Sequence, residues 1–427
     1  MLDANFPPAG YIPANSSVPG IDLFMPAPQL EKQEAIVEFR CPQCNGETAY
    51  NAADGGLNCA YCGFHEPPPK EVVGKGAEAF EFTVTTVEWA AHGWGIVRDE
   101  LQCQNCGALT AVPPGDLTHT CPFCASNQVV HRQAPQDLLR PRFLIPLKIS
   151  EEECRTAVRE WLGSSWMTPG KLRHLARTAH YAPIYIPYWT FDAFSTSVWR
   201  AQVAHTRRYR HYNLSTKKWE TRTKTEWKWE SGNVRLHIDD LLVSGTNKLS
   251  RLLLERIQRY NLHELVLYDP SFLAGVQAQA YDVQLDHAWA EARRQMRART
   301  KSACQAQATS QRMRNFSMNL DFSQESWRYI LMPLYVATYR YEDKTYQVMI
   351  NGQTGVVGGQ RPVDWRKIGL LAGLALLPGV FTGLLSLILL IFNEGGFPLL
   401  AITAFLLALG AAVAFYLVHH AQQLDDI

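Results

Sequence analysis

The clearest periodic pattern in the chain lies between Trp219 and Glu230. Trp219, Thr221, Thr223, Thr225, Trp227 and Trp229 alternate with Glu220, Arg222, Lys224, Glu226, Lys228 and Glu230. Successive side chains of a strand point to opposite faces, so this alternation predicts a two-faced strand. Trp199 to Tyr212 precedes it across Asn213–Lys217, and the pair reads as a hairpin. The aromatic run YIPYWTFDA (Tyr185–Ala193) predicts a further strand, and Val266–Pro270 the end of another. Arg328–Tyr341 and Lys344–Ile350 predict a second hairpin across Glu342-Asp343, with Asn351-Gly352 turning the chain toward Val356-Val357.

Helical periodicity alternates with these strands. Ser150 and Glu153 form a capping-box pattern, followed by Cys154, Val158, Trp161 and Leu162 on one face. Glu151, Glu152 and Glu153 suit the first turn of that helix. Thr168-Pro169 predicts another start, with Leu172, Leu175 and Ala176 inward. Asn247–Tyr260 reads as a leucine-rich helix. Leu285, Trp289, Ala292 and Met296 mark a long helix whose other face carries Arg293, Arg294, Arg297, Arg299 and Lys301. The middle of the chain is expected to be one mainly antiparallel sheet with helices packed on it.

The C-terminal pattern is continuous rather than periodic. Ile368–Phe392 is 25 residues without a charge and Phe397–Val418 another 22. Each is long enough to span a hydrocarbon core of about 30 Å. Asn393–Gly396 between them predicts a tight reversal, and Pro378 a kink in the first helix. Gly369-x3-Gly373 and Gly379-x3-Gly383 offer small faces for helix packing. Arg361, Arg366 and Lys367 precede the first span while the loop holds only Glu394, which predicts a cytoplasmic body and C-terminus. Trp365 and Tyr416 fall where interfacial aromatics are expected.

Ten cysteines change the picture of the N-terminal part. Cys103-x2-Cys106 and Cys121-x2-Cys124 are separated by fourteen residues; Cys41-x2-Cys44 and Cys59-x2-Cys62 repeat that spacing 62 positions upstream. Two turns, each aiming two sulfurs at one point, supply the tetrahedral thiolate set that zinc takes. Four sulfurs leave no open position, so both ions are expected to be structural. Gly63 and Gly107 follow knuckle cysteines; at Cys44 the glycine comes one residue late, as Gly46. His65, His119 and His131 are read as surface residues, and Cys154 and Cys304 as buried residues of helices. The start of the chain lacks a basic segment followed by an apolar run, so no secretory signal is expected, and reduced thiols fit a cytosolic body.

The expected class is therefore α+β: two N-terminal zinc ribbons, a mainly antiparallel middle domain and a C-terminal transmembrane helical hairpin. The division is 1–35 as a disordered proline-rich tail, 36–66 and 98–133 as ribbons, and 67–97 as a linker with a short strand and helix. The α+β domain covers 134–366 and the membrane hairpin 367–421.

Charge adds little in bulk, since the 427 residues carry a formal +1. Locally, Arg207, Arg208, Arg210, Lys217, Lys218, Arg222 and Lys224 interleave with Tyr209, Tyr212, Trp219 and Trp227. Such a hairpin could hold phosphates and stack bases, or meet anionic lipid headgroups. The plainer reading is a two-sided sheet with aromatics in the core, charges in water, and cross-strand pairing by Glu220, Glu226 and Glu230. Asp239-Asp240 is an adjacent carboxylate pair whose side chains are expected on opposite faces of a strand. The chain has no G-x4-GK[ST] phosphate loop, no G-x-S-x-G and no H-E-x-x-H, so an enzyme is not expected.

The runs GWGIVRDELQCQNCGA, CPFCAS, YIPYWTFDA, LYDPSFLAG and INGQTGVVGGQRP, ahead of paired apolar spans, carry a resemblance. Together they resemble bacterial membrane-anchored proteins with zinc ribbons of the transcription-factor-IIB type, often labelled as primosomal-protein-like. The resemblance covers Cys41 to the C-terminus and implies that the eight cysteines bind two structural zinc ions. Ala125 stands where such proteins tend to have glycine. A helicase activity is not implied, because the nucleotide-binding loop is missing. The resemblance implies a non-enzymatic adaptor at the bacterial inner membrane, in some relatives linked to membrane-stress modules. Two functions are thus expected to compete: a scaffold for a protein partner, and a membrane-tethered nucleic-acid binder.

Overall fold

The computed structural model describes residues 11–14, 23–26, 39–67, 72–74, 80–81, 99–105, 109–112, 121, 126–133, 139–172, 181–215, 217–341, 344–391 and 397–425. Strands β1 (Tyr11–Ala14) and β2 (Leu23–Pro26) pair antiparallel within the tail expected to lack regular structure. Their apolar tetrapeptides, YIPA and LFMP, give such a pair its side chains. The helix expected over Val87–Ala91 lies outside the described residues.

Strands β3 (Thr48–Asn51), β4 (Gly56–Cys59) and β5 (His65–Glu66) form a small antiparallel sheet around the first cysteine set. The main sheet contains β6 (Phe80–Glu81), β7 (Asp99–Cys103), β8 (Leu109–Val112), β9 (Val129–Gln133), β10 (Phe143–Leu144), β11 (Ala182–Asn213) and β12 (Lys218–Ser244). It continues with β13 (Val266–Leu267), β14 (Gln277–Ala278), β15 (Met313–Tyr341), β16 (Lys344–Asn351) and β17 (Val357–Gly359). β10 on β15 and β14 on β11 are parallel pairs, and the other pairings are antiparallel.

The centre of this sheet is β12-β11-β15. The stretches expected at Tyr185–Ala193 and Trp199–Tyr212 are one strand of 32 residues. β15 starts well before Arg328; its first half is rich in Asn, Ser and charge and gives a weak alternation signal. Alternate residues of β11 enter two different cores. Tyr185, Trp189 and Phe191 pack on one side, and Ile184, Ile186 and Tyr188 on the other. Burial on both faces is why this stretch reads as a nearly continuous apolar run.

Helix α1 (Glu151–Gly163) covers the first face through Cys154, Val158 and Leu162. Its capping box is complete: Glu153 N donates to Ser150 Oγ (3.3 Å) and Ser150 N to Glu153 Oε2 (2.8 Å). After α1, residues 164–171 are irregular turns and bends, Leu172 is helical and fully buried as expected, and Leu175 and Ala176 lie outside the described residues. Helix α2 (Arg251–Ile257) covers the second face and is shorter than the expected Asn247–Tyr260. The amides of Asn247 and Lys248 bond the side chains of Asp282 (2.9 Å) and Thr246 (3.1 Å), and the helical bonding begins with Leu254 N to Ser250 O (3.0 Å).

Helix α3 (Leu285–Gln307) lies along β11 and β12. Trp289 packs on Phe191, Thr300 Oγ1 bonds Ser195 Oγ (2.9 Å), and Cys304 is buried among Trp199, Ala201 and Val203. Cys154 and Cys304 are both fully buried on helices, as expected. The third strand ends where Met313 pairs with Val203. Beyond that point β11 and β12 continue alone as a two-stranded arm, roughly 30 Å long at about 3.3 Å per residue.

Helices α4 (Trp365–Ile391) and α5 (Phe397–Asp425) pack on each other. Both are long and apolar enough to cross a membrane, and little of their apolar length is buried. Leu370, Leu374, Leu377, Phe381, Phe405 and Phe415 are among the large apolar side chains left outside. A soluble helix pair would bury such a face. Of the two small-residue motifs, Gly379 and Gly383 face Leu407 and Thr403 of α5, while Gly369 and Gly373 face nothing within 4 Å.

Candidate metal centre and projecting arm

In the first ribbon two turns converge. Asn45 N donates to Cys41 O (2.8 Å) and Gly63 N to Cys59 O (3.0 Å), folding each knuckle back on its first cysteine. The residue after the second cysteine is left-handed in both, Asn45 at φ 58° and Gly63 at φ 74°. Asparagine tolerates that conformation, so the first knuckle needs no glycine there. Gly46 has a different reason: a Cβ would stand 2.6 Å from the Tyr61 ring and 3.3 Å from Cys44 Sγ.

The sulfurs of Cys41, Cys44, Cys59 and Cys62 lie within 4.8 Å of one another. Cys41–Cys62 are 3.4 Å apart and Cys44–Cys59 3.5 Å. A zinc tetrahedron with bonds of about 2.3 Å has sulfurs about 3.8 Å apart, so this cage fits zinc with little movement. The thiols are electrically uneven without a cation. The Cys62 amide, opposed by burial and reinforced by the Tyr61 amide, draws the Cys59 thiol down to about 7. At Cys62 the Phe64 amide pulls down, but burial and the other three sulfurs push the thiol up to about 12. A divalent ion lets all four hold negative charge together. His65 is exposed and bonds Asn58 (2.5 Å), outside the sulfur set.

In the second set Cys103 and Cys121 are described, and both are buried. Cys106 and Cys124 lie outside the described residues, as do Gly107, His119 and Ala125. The described pair belongs to the core on the second face of β11. The first ribbon docks on the opposite face through Tyr50, whose hydroxyl donates to Leu147 O (3.3 Å) and whose ring meets Phe272 at 5.5 Å. Burial pushes the Tyr50 phenol up to about 12, so it remains a donor at neutral pH. Tyr50 of the first ribbon and the pair Cys103 and Cys121 thus lie in cores on opposite faces of one strand.

The LYDPSFLAG run is the seat of this docking. Asp269 caps a 3-10 turn at Pro270–Leu273, Gly275 sits at φ 70° against Ala49, and Tyr50 N donates to Ala274 O (2.8 Å). In INGQTGVVGGQRP, Asn351 Oδ1 accepts from Gln353 N (2.9 Å) and Thr354 N (3.0 Å), while its Nδ2 donates to Ile257 O (2.8 Å). Both motifs are structural joints.

The arm corrects the expectation that its aromatics enter the core. Trp219, Trp229 and Tyr209 are 64%, 50% and 44% exposed. Arg207 stands opposite Lys224, and Tyr209 opposite Arg222, so Arg207, Lys218, Arg222 and Lys224 share one face. Glu220 and Glu226 are on that face too, and they pair along their own strand with Arg222 (3.7 Å) and Lys224 (3.5 Å). Arg208 and Arg210 share the other face with Tyr212, Trp219 and Trp227. Lys217 sits in the turn at φ 49°.

That second face also carries Arg200 and Arg314, which sequence reading missed. Their guanidinium groups lie 4.4 Å from the rings of Trp229 and Trp227. No carboxylate occurs on it between Arg200–Tyr212 and Trp219–Ser231. Arg200 and Arg314 could be found only through the strand register, since Arg314 lies over 80 positions from Trp227. The arm's tip and the start of α4 are at opposite ends of β11, about 100 Å apart along the strand.

The carboxylates of Asp192, Asp239 and Asp240 also converge within 4.8 Å. A bulge between Phe191 and Ala193 and a left-handed Asp240 (φ 53°) bring the neighbouring aspartates together, contrary to the alternation expected of a flat strand. Arg328 Nη2 lies 2.9 Å from Asp192 and 2.6 Å from Asp240, so an arginine supplies the positive charge here.

No family model matches the chain, and no solved structure matches it. Over 340 residues, 78% of its length, the chain is 25% identical to a Bacillus subtilis (strain 168) protein designated uncharacterized protein YdjG. The match covers 92% of that protein. The likeness therefore runs through most of both chains.

Proposed function

We propose that this protein is a membrane-anchored adaptor of the bacterial inner membrane, with its body and C-terminus in the cytoplasm. It holds two structural zinc ions, acts by binding rather than catalysis, and presents its arm to a protein partner in a membrane-stress module. The observation that carries this reading is the carboxylate-free face of the arm. Tryptophan, tyrosine and arginine dominate the energetic centres of protein interfaces. Here they are exposed on a ribbon that projects beyond the packed body. The absence of acids on that face favours an acidic partner segment.

Nucleic acid is the second reading, because the same rings could stack bases. The register weakens it. Arg200 and Arg314 already stack on tryptophans, which leaves Arg208 and Arg210 for phosphates on the aromatic face. Two neutralised phosphates give a salt slope of only about −2.

The test is a crosslinked pull-down of the full-length protein from gently solubilised membranes, with and without nuclease. An Arg208→Gln/Arg210→Gln variant, an Arg222→Gln/Lys224→Gln variant and a Cys121→Ser variant run beside it. A protein recovered after nuclease, lost with the first variant and kept with the second, is the expected result. Recovery of nucleic acid, with proteins lost on nuclease treatment, would replace the adaptor by the nucleic-acid binder. Equal recovery from both arm variants would remove the arm from the function.

A further inference from the structure

Where α4 leaves the body, an open cleft of about 350 Å³ is lined by Trp166, Asp364, Arg366, Lys367, Leu370 and Leu371. Its walls come from distant parts of the chain. Trp166 belongs to the turn after α1, and that turn is tied to the start of α4. Asp364 N donates to Met167 O (2.8 Å), Lys367 Nζ donates to Thr168 O (3.3 Å), and Met167 packs with Val363, Ile368 and Ala421. The cleft is therefore a built joint between body and helices.

Its chemistry is graded along the helix. Asp364 offsets the charge of Lys367 at 3.3 Å, and Arg366 is exposed as the second cation. Leu370 and Leu371, 65% and 38% exposed, follow about one helical turn later, roughly 6 Å further along. Trp166, half exposed, faces them from the body. A soluble anion would use the cations and leave the leucines and the indole in water. A molecule with an anionic phosphodiester above a hydrocarbon chain uses both.

We infer that this cleft seats one phospholipid with an anionic headgroup, its phosphate at Arg366 and Lys367 and its acyl chain along Leu370 and Leu371. This rests on the reading that α4 and α5 span a membrane. The lipid would touch Trp166 of the body and α4 of the anchor at once, so it would fix how the body stands on the bilayer surface.

The test uses full-length protein in nanodiscs of equal phosphatidylglycerol and phosphatidylcholine, with lipids retained after detergent extraction counted by native mass spectrometry. Zinc content equal to the parent's reports that each variant is folded. The parent is expected to retain phosphatidylglycerol in preference to phosphatidylcholine. Arg366→Gln should lower that preference by roughly fivefold. Leu371→Trp, which fills the cleft and keeps both cations, should lower retention similarly. Equal retention of the two lipids by the parent, or an unchanged preference in both variants, overturns the inference. Displacement of the lipid by millimolar inorganic phosphate would make this a phosphate site and overturn it as well. Failure to enter nanodiscs would overturn the membrane-spanning reading itself, and this inference with it.

Discussion

Arg328 Nη2 lies 2.6 Å from Oδ1 of Asp240, and both side chains are almost fully buried. The contact closes a bulge at which β11 changes register with both of its neighbours. Thr190 Oγ1 accepts from Arg328 Nε (3.2 Å), and Asp192 Oδ2 accepts from the same Nη2 (2.9 Å). Removing the cation would leave two carboxylates buried together. Arg328→Met is expected to destabilise the body by about 3–5 kcal/mol, read from the urea midpoint of tryptophan fluorescence in detergent. Adding Asp192→Asn and Asp240→Asn should recover much of the loss. A single variant as stable as the parent would show that the network contributes nothing.

Zinc content separates the two cysteine sets. Cys59→Ser should lower zinc by one ion per chain, and Cys121→Ser by one more in the double variant, measured by elemental analysis. Because Tyr50 joins the first ribbon to the body, Cys59→Ser should also increase protease cleavage between residues 39 and 67. Unchanged zinc in Cys59→Ser would dismiss the cage as a metal centre.

Glu264 gives a pH dependence of defined sign. Its carboxyl is held below the usual glutamate range, first by Lys148 Nζ at 2.7 Å and then by Gln353 Nε2 at 2.6 Å. A depressed folded value contributes stability above the unfolded value of about 4.3, and that contribution is lost as pH falls through the folded value. Glu264→Gln should therefore destabilise the protein at pH 7 and make little difference at pH 2. A destabilisation of the same size at both values would assign the effect to packing instead.

The helical hairpin offers a matched pair of glycines. A Cβ at Gly379 would stand 2.7 Å from Leu407, whereas Gly369 has open space. Thr382 and Thr403, whose hydroxyls are 3.3 Å apart, can report helix contact as a Thr382→Cys/Thr403→Cys disulfide. Gly379→Ile is expected to lower its yield several-fold, and Gly369→Ile to leave it unchanged. Equal effects would mean that the close packing at Gly379 does not hold the pair together.

Local chemistry was legible along the chain because its cause is local. A C-x2-C turn aims its own two sulfurs, Ser150 and Glu153 cap their own helix, and a run of apolar residues such as Ile368–Phe392 needs no partner to be recognised. The alternation from Trp219 to Glu230 likewise fixed a strand and its two faces. What those faces meet was decided by tertiary structure alone. Pairing β15 against β11 only as far as Val203 leaves the tryptophans of the arm exposed, and the register of β11 with β12 divides its cations between two surfaces. The bulge at Phe191/Ala193 turns Asp239 and Asp240 together although their neighbours alternate. Gly369 and Gly379 begin identical motifs, yet only one meets the other helix. Sequence spacing specifies the direction in which a side chain leaves the backbone; which atoms stand there depends on segments many positions away, brought in by the fold.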